Sequence, residues 1–513
     1  MKNKNKIEYE IDRIGQIDFE DFKTEIEKED KINQSKKKEI REIPIDIKKL
    51  QRQKKIILKG IEVYFPYEPY ENQKIYMEKV IEACEKGSIA GLESPTGTGK
   101  TLCLLCSSLA WLKYKRNDMI KNKKKYENIP KIYYTSRTHS QLSSIIKELK
   151  KTCYLPRNSV LSSRDYMCVN NVIKGYKGKM LNNKCTEIRL KKNCKYFYGA
   201  EKILTSAYDN CDIEELFNIG YKNSFCPYFF ERYKKESSDI IFLPYNYIFE
   251  PSIKGKLKIN LDNSILIIDE AHNIQEICEN AVSCSLNTKI LEEIYKDLNV
   301  FKNLIEGTNF LPKNSEMKNI NIKQIDDEMK IIDSIKNYLK SIKIKTGKWW
   351  PDIGLKITTK EMFDIFFEGS KGKNKIQKTI SPINENNGLT TSNLNEHINF
   401  LNKIETFINE EVQKGTLLSN YISVLTLIDT LSKNYIEFIE SGDQNPLNNY
   451  SNNYKFFIND IENSSYGQKK ITKDRTLFLF CFNPGFGFKL ITNEGIKSII
   501  ITSGTLSPIN GIE

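Results

Sequence analysis

The sequence is 513 residues long, 39% hydrophobic and 28% charged, with a formal net charge of +13. That length predicts about two to four domains. With no N-terminal apolar stretch and no apolar run near bilayer length, secreted and membrane-spanning classes are excluded, and the chain reads as soluble and intracellular. The positive balance favours a polyanionic partner such as nucleic acid, although the general abundance of Lys and Asn accounts for part of it without one. In a reducing compartment its twelve cysteines argue for metal rather than disulfides.

Residues 1–55 mix Lys, Glu, Asp and Ile without a regular pattern and are expected to form a charged, disordered extension. From Ile56 onward, short apolar runs end in polar or glycine-rich turns: Ile89–Leu92, Lys131–Tyr134, Asp239–Leu243, Ile265–Ile268 and Ser498–Ile501. Separated by helical stretches such as Thr101–Lys113, these runs predict an α/β fold with a parallel sheet covered on both faces. Most motifs sit at the polar ends of those runs, where open α/β sheets bind ligands. Two stretches break the rhythm. Residues 166–230 are rich in Cys, Lys and Tyr, and residues 276–470 carry amphipathic helical patterns such as Ile404–Val412 and Tyr421–Ile439. Asn/Lys-rich loops interrupt the second stretch near 314–322 and 370–395, and strand texture returns at Thr476–Phe482. The sheet domain is therefore expected in three pieces, 56–165, 231–275 and 471–513.

Ser94-Pro95-Thr96-Gly97-Thr98-Gly99-Lys100-Thr101 follows a strand-like run and precedes a helical one, the context a phosphate-binding loop requires. Gly97 and Gly99 let backbone N–H groups curl around phosphates, Lys100 neutralises them, and the Thr101 hydroxyl ligates Mg²⁺. Ser94 stands where the general pattern has Gly, which leaves the cradle intact. Asp269-Glu270-Ala271-His272 follows another buried run, so Asp269 is the expected second Mg²⁺ contact and Glu270 the base for the attacking water. His272 joins this group as a further candidate, against the plainer role of a solvated helix-start histidine.

Further motifs make the resemblance specific. Phe65–Gln73 resembles the adenine-reading segment of DEAH-type superfamily 2 helicases, Thr135–Leu142 their strand-gripping motif and Thr502–Pro508 their motif III. Together they are similar to the iron–sulfur helicases of the xeroderma pigmentosum group D type. Gly91–Cys106 most resembles the branch that regulates telomere elongation, and Arg475–Leu490 is also similar to that branch. The resemblance implies Gln73 as the base contact, Arg137, Thr138, His139 and Gln141 as DNA contacts, and Ser503 and Thr505 as coupling residues. It also implies Cys168, Cys185, Cys194 and Cys226 as ligands of a 4Fe-4S cluster, with Arg164 beside the DNA path. The gaps between these cysteines are 16, 8 and 31 residues, without the paired short spacings usual for zinc, which disfavours a Cys₄ zinc site without excluding it. Basic and aromatic residues surround them, among them Tyr166, Lys191, Tyr228 and Arg232, a mixture suited to phosphates and stacked bases as well as to a solvated face. Cys211 has no counterpart in the family, and Cys84, Cys103 and Cys106 read as free buried cysteines.

The family architecture is a RecA-like P-loop domain interrupted by an iron–sulfur domain and a helical arch. The implied activity is ATP- and Mg²⁺-dependent 5′-to-3′ unwinding of DNA by a nuclear, monomeric enzyme. Its implied partners are single-stranded DNA, junctions or displacement loops, and replication, repair or telomere proteins, with no membrane. No Q-x-x-G-R-x-x-R arginine-finger segment follows motif III, so the chain reads as stopping before a second motor domain and is expected not to unwind DNA alone. A truncated, non-motor DNA- and nucleotide-binding product, or a repair helicase of the Fanconi anaemia group J type, remain as alternatives.

Overall fold

The computed structural model describes residues 41–122, 129–203, 208–307, 321–344, 354–367, 389–408, 417–441, 453–463 and 472–505. Its strands, in chain order, are β1 (Lys54–Leu58), β2 (Ile61–Phe65), β3 (Ile89–Glu93), β4 (Lys131–Ser136), β5 (Asn158–Val160), β6 (Ile240–Pro244) and β7 (Ser264–Asp269). They continue with β8 (Cys284–Asn287), β9 (Leu355–Ile357), β10 (Tyr454–Asn463), β11 (Thr472–Cys481) and β12 (Ser498–Ser503). The chain folds into two compact units, one formed by residues 278–487 and the other by the flanking sequence.

The flanking unit is built on a six-stranded sheet of order β3-β12-β7-β4-β6-β5. Every pairing in it is parallel, and Ile500 of β12 lies between Ala90 of β3 and Ile267 of β7. β6, β7 and β12 are buried at every position. Both faces of these strands must therefore be apolar, which is why they read as continuous rather than alternating runs. This is the RecA-like α/β arrangement expected from sequence. The helices Glu71–Lys86 and Lys100–Lys121 are joined where Trp111 Nε1 donates to Glu85 Oε2 at 2.8 Å.

Two features of this unit differ from expectation. Residues 41–55 are ordered structure, not extension. Asp46 caps a short helix at Ile47–Leu50, Ile45 bridges to Tyr154, and Arg41 and Arg116 both pair with the buried Asp239 at 2.7 Å. Residues 1–40 lie outside the described residues. β1 and β2 form a hairpin whose two turn residues, Lys59 and Gly60, both have positive φ (49° and 79°). That is the turn geometry whose twist matches paired strands.

The cysteine-rich stretch folds into short helices at Arg164–Met167, Gly178–Leu190, Lys195–Lys202, Ile213–Lys222 and Pro227–Lys234. Its apolar residues merge with the core of the sheet. A buried polar joint fixes that junction: Ser159 Oγ donates to Glu231 O at 2.9 Å, and Glu231 accepts from Val160 N at 2.6 Å. Burial raises the Glu231 carboxyl to about 6.

The second unit corrects the expectation of a purely helical region. Helices Thr288–Gly307, Ile322–Ser341, Thr359–Phe367, Leu394–Phe407 and Leu418–Ser441 accompany an antiparallel sheet of order β8-β11-β10-β9. Thr476–Phe482 contributes to this sheet, so β11 does not rejoin the parallel one. β10 and β11 each place alternate residues in the core, Phe456 opposite Leu479 and Ile458 opposite Leu477. Arg475 forms a two-pronged ion pair with Asp460 (2.9 and 3.1 Å) and donates to the Leu339, Lys340 and Ile342 carbonyls. One guanidinium thus caps the carboxyl end of helix Ile322–Ser341, where cations complement the helix dipole. The loops expected near 314–322 and 370–395 lie largely outside the described residues.

Candidate nucleotide and nucleic-acid site

The phosphate-loop sequence lies between β3 and the helix beginning at Lys100. Gly97 (φ 83°) and Gly99 (φ 79°) occupy the left-handed region. The positive φ demands glycine at position 99, and a Cβ there would also fall 2.8 Å from Gln73 Nε2 and displace that side chain. The loop is braced internally: Ser94 Oγ and Thr98 Oγ1 lie 2.7 Å apart, and Thr98 Oγ1 donates to Pro95 O at 2.8 Å. Pro95 and Thr96 are exposed on its rim, and Thr101 is half-buried at the start of the helix.

Lys100 is buried, yet its Nζ makes no hydrogen bond, and the Glu270 carboxylate is 3.7 Å away. An ammonium withdrawn from water without full compensation is costly. A phosphate seated in the loop would satisfy it, so the residues present fit a nucleotide. Gly504 approaches this point so closely that a Cβ there would lie 3.3 Å from Lys100 Nζ and 3.4 Å from Thr96 Cγ2.

The carboxylate pair stands at the end of β7. Asp269 accepts from Tyr134 OH at 2.8 Å and from Glu270 N at 2.9 Å. Burial raises its pKa, while the Tyr134 hydrogen bond and Lys100 act in the opposite direction. From Glu270 a chain of polar contacts continues outward. His272 Nδ1 is 3.5 Å from the Glu270 carboxylate, and Ser503 Oγ is 3.4 Å from the same nitrogen. Ser503 O accepts from Ser94 N at 3.2 Å, and Ser503 Oγ accepts from Thr505 N at 3.3 Å. The structure therefore brings Lys100, Glu270, His272, Ser503 and the phosphate loop into one polar array.

Gln73 lies against the phosphate loop. Its amide nitrogen donates to Thr98 O at 2.8 Å, and its oxygen accepts from Tyr70 N at 3.0 Å. Sequence reasoning missed Tyr134 and Tyr245. The Tyr245 hydroxyl donates to both the Asp269 and Glu270 carbonyls. Both tyrosines are buried beside a carboxylate strand, and nothing in the local pattern marks that.

At the end of β4, Arg137 and Thr138 are exposed and His139 is half-buried. Gln141 closes a capping box, accepting from Thr138 N at 3.0 Å. In the cysteine region Cys168, Cys185, Cys194 and Cys226 are all buried. Cys194 and Cys226 stand at the N-caps of their helices. Burial pushes the Cys168 thiol to about 11 and the Cys226 thiol to about 12. Among the described residues, no group of three or more His, Cys, Asp or Glu side chains is placed to hold a metal ion. Arg164, expected along a DNA path, instead turns its guanidinium over the Tyr228 ring (4.2 Å) and towards Cys185. Cys211 is half-buried, with its thiol pushed to about 11 by burial. No helix among the described residues is long and apolar enough to cross a membrane.

Residues 134–291 match the DEAD_2 family. The chain is 32% identical over 484 residues to a regulator of telomere elongation helicase 1 homolog of Arabidopsis thaliana, spanning 89% of this chain and 43% of that protein. It is 28% identical over 512 residues to the regulator of telomere elongation helicase 1 of Bos taurus, spanning 89% and 40%. A solved structure titled "Truncated XPD" aligns with 85% of this chain and 94% of that one, at a TM-score of 0.41 and 19% identity. The chain spans less than half the length of these two relatives. Residues 134–291 thus carry a DEAD_2 match, and over most of its length the chain is similar to regulator of telomere elongation helicase 1 and its homologs.

Proposed function

We propose that this chain carries the ATP-, DNA- and cluster-binding parts of an ATP-dependent 5′-to-3′ DNA helicase of genome and telomere maintenance. It would act in the nucleus, as a monomer, on single-stranded DNA, DNA secondary structures and displacement loops, alongside replication, repair or telomere proteins. The observation that carries this reading is the buried, unbonded ammonium of Lys100 in a glycine cradle, 3.7 Å from Glu270.

MgATP supplies the phosphoryl group and its neutralising cation when bound. The backbone N–H groups of the loop then hold the phosphates, and Lys100 balances their charge. Thr101 and Asp269 would supply oxygen ligands for Mg²⁺, with Tyr134 holding the Asp269 carboxylate. Glu270 accepts the proton of the attacking water, its carboxylate oriented by Lys100 on one side and His272 on the other. The contacts from His272 through Ser503 to Ser94 and Thr505 give a route by which nucleotide occupancy is felt at motif III. Four buried thiols with no histidine among them have the chemistry that a 4Fe-4S cluster takes, and Cys168, Cys185, Cys194 and Cys226 would hold it.

Two titrations test the proposal. The chain should bind a fluorescent ATP analogue in a Mg²⁺-dependent manner. It should also bind oligo-dT with an affinity that falls as salt rises. Failure of both would remove the basis of the reading.

A further inference from the structure

The junction between β4 and the helix His139–Leu149 holds the residues expected to grip DNA, and most of them are occupied within the fold. Gln141 Oε1 accepts from Ser136 Oγ at 2.9 Å and from Thr138 N at 3.0 Å. Thr138 Oγ1 accepts from Gln141 N at 3.3 Å. The His139 ring is half-buried, 4.6 Å from the Tyr166 ring and 6.5 Å from the Tyr247 ring. Its Nδ1 is buried without a hydrogen-bond partner, and burial lowers its pKa, so the imidazole is neutral near pH 7. It therefore acts as an uncharged support, its ring tilted by 54° to that of Tyr166, and not as a phosphate ligand.

The ring resting on that support is the exposed one. Tyr166 is 55% exposed although it belongs to a rigid turn, Arg164–Met167, closed by Tyr166 N to Ser163 O (3.2 Å) and Cys168 N to Arg164 O (2.9 Å). The neighbouring Asp165 carboxylate is turned to the Gly178 N–H at 2.9 Å. A large aromatic ring, fixed from below and wet on the other side, is arranged to stack on a planar ligand with little loss of conformational freedom. Arg137, exposed two residues before His139, supplies a cation at the same junction.

We infer that Tyr166 is a base-stacking contact for single-stranded DNA, supported by His139, with Arg137 holding a phosphate of the same strand. The occupant is single-stranded because only unpaired bases offer a free π-face, and an uncharged ring beside an arginine matches the alternation of base and phosphate. The inference rests on the proposal that the chain binds DNA, and it names the contact.

Fluorescence anisotropy of labelled oligo-dT with the full chain, at a series of salt concentrations, tests it. Tyr166→Ala should bind about tenfold more weakly at every salt concentration with an unchanged salt slope, because a stack releases no counterions. Tyr166→Phe should stay within about twofold of the parent, since stacking needs the ring and not the hydroxyl. Arg137→Ala should instead lower the slope by about 0.7. Tyr166→Trp guards against a folding defect in the alanine variant, and it should bind at least as tightly as the parent. Parental affinity in Tyr166→Ala, or equal losses in the Phe and Ala variants, would overturn the stacking contact while leaving DNA binding intact. No binding by the parent chain would overturn the functional reading, and the contact with it.

Discussion

Tyr245 OH donates to the Glu270 carbonyl at 2.8 Å, and Glu270 has a φ of +56° and a ψ of +46°. A left-handed backbone at a non-glycine residue costs on the order of 1 kcal/mol and persists only where its surroundings enforce it. Tyr245 is buried and also donates to the Asp269 carbonyl, so a single phenol spans the peptide on either side of the strained bond. Tyr245→Phe removes that clamp while keeping the ring. Hydrolysis should fall about tenfold, equivalent to about 1.4 kcal/mol of barrier, with nucleotide affinity within about twofold of the parent. Single-turnover hydrolysis measured beside nucleotide binding would show it. An equal loss in both quantities would mean that Tyr245 merely supports the fold.

The Lys100–Glu270 pair separates binding from chemistry. Lys100→Ala deletes the cation facing the phosphates and should abolish tight nucleotide binding. Glu270→Gln keeps the shape and removes the base, so ATP should bind but not be hydrolysed. Normal hydrolysis by Glu270→Gln would place the base elsewhere.

The purified chain is expected to be brown and to contain iron and sulfide. Serine at Cys168, Cys185, Cys194 or Cys226 should bleach it, because each thiol belongs to the same buried set. Cys211→Ser should leave the colour unchanged. Stoichiometric zinc without iron after anaerobic purification would refute the cluster.

The second unit pairs the half-buried His397 with the buried Glu328. Burial alone would lower the His397 pKa, but the hydrogen bond and charge of Glu328 outweigh it, so the folded value lies above the ordinary one. A raised histidine pKa adds stability that is complete below about pH 6.5 and is lost as pH rises through the folded value. The full chain should therefore lose thermal stability as pH rises above about 6.5, and His397→Asn should flatten that dependence. Parallel pH profiles from parent and variant would argue against the pair.

Arg475→Ala should loosen the carboxyl end of helix Ile322–Ser341, whose Leu339 and Lys340 carbonyls the guanidinium caps. The cost should be about 2 kcal/mol, since the change also removes the two-pronged ion pair with Asp460. Hydrogen exchange at that helix end would report it, and protection equal to that of the parent would contradict the cap.

Local chemistry made part of this protein legible from sequence alone. A phosphate loop needs glycines with positive φ between a strand and a helix, and Gly97 and Gly99 announced it. Continuous apolar runs located β4, β6, β7 and β12, because strands covered on both faces cannot alternate. Tertiary structure decided what depends on distant partners. β8 pairs with β11 across nearly two hundred residues, so the antiparallel sheet of the second unit left no local mark beyond Thr476–Phe482. Tyr134 and Tyr245 reach Asp269 and Glu270 only because β4 and β6 are brought close to the end of β7. Folding likewise turned Arg164 towards Cys185 and set Tyr166 on His139, since two residues on one helical turn project to different sides of it. Residue type and spacing could name the candidates for chemistry, but which side chain is buried, exposed or already bonded depends on contacts that exist only once the chain has closed on itself.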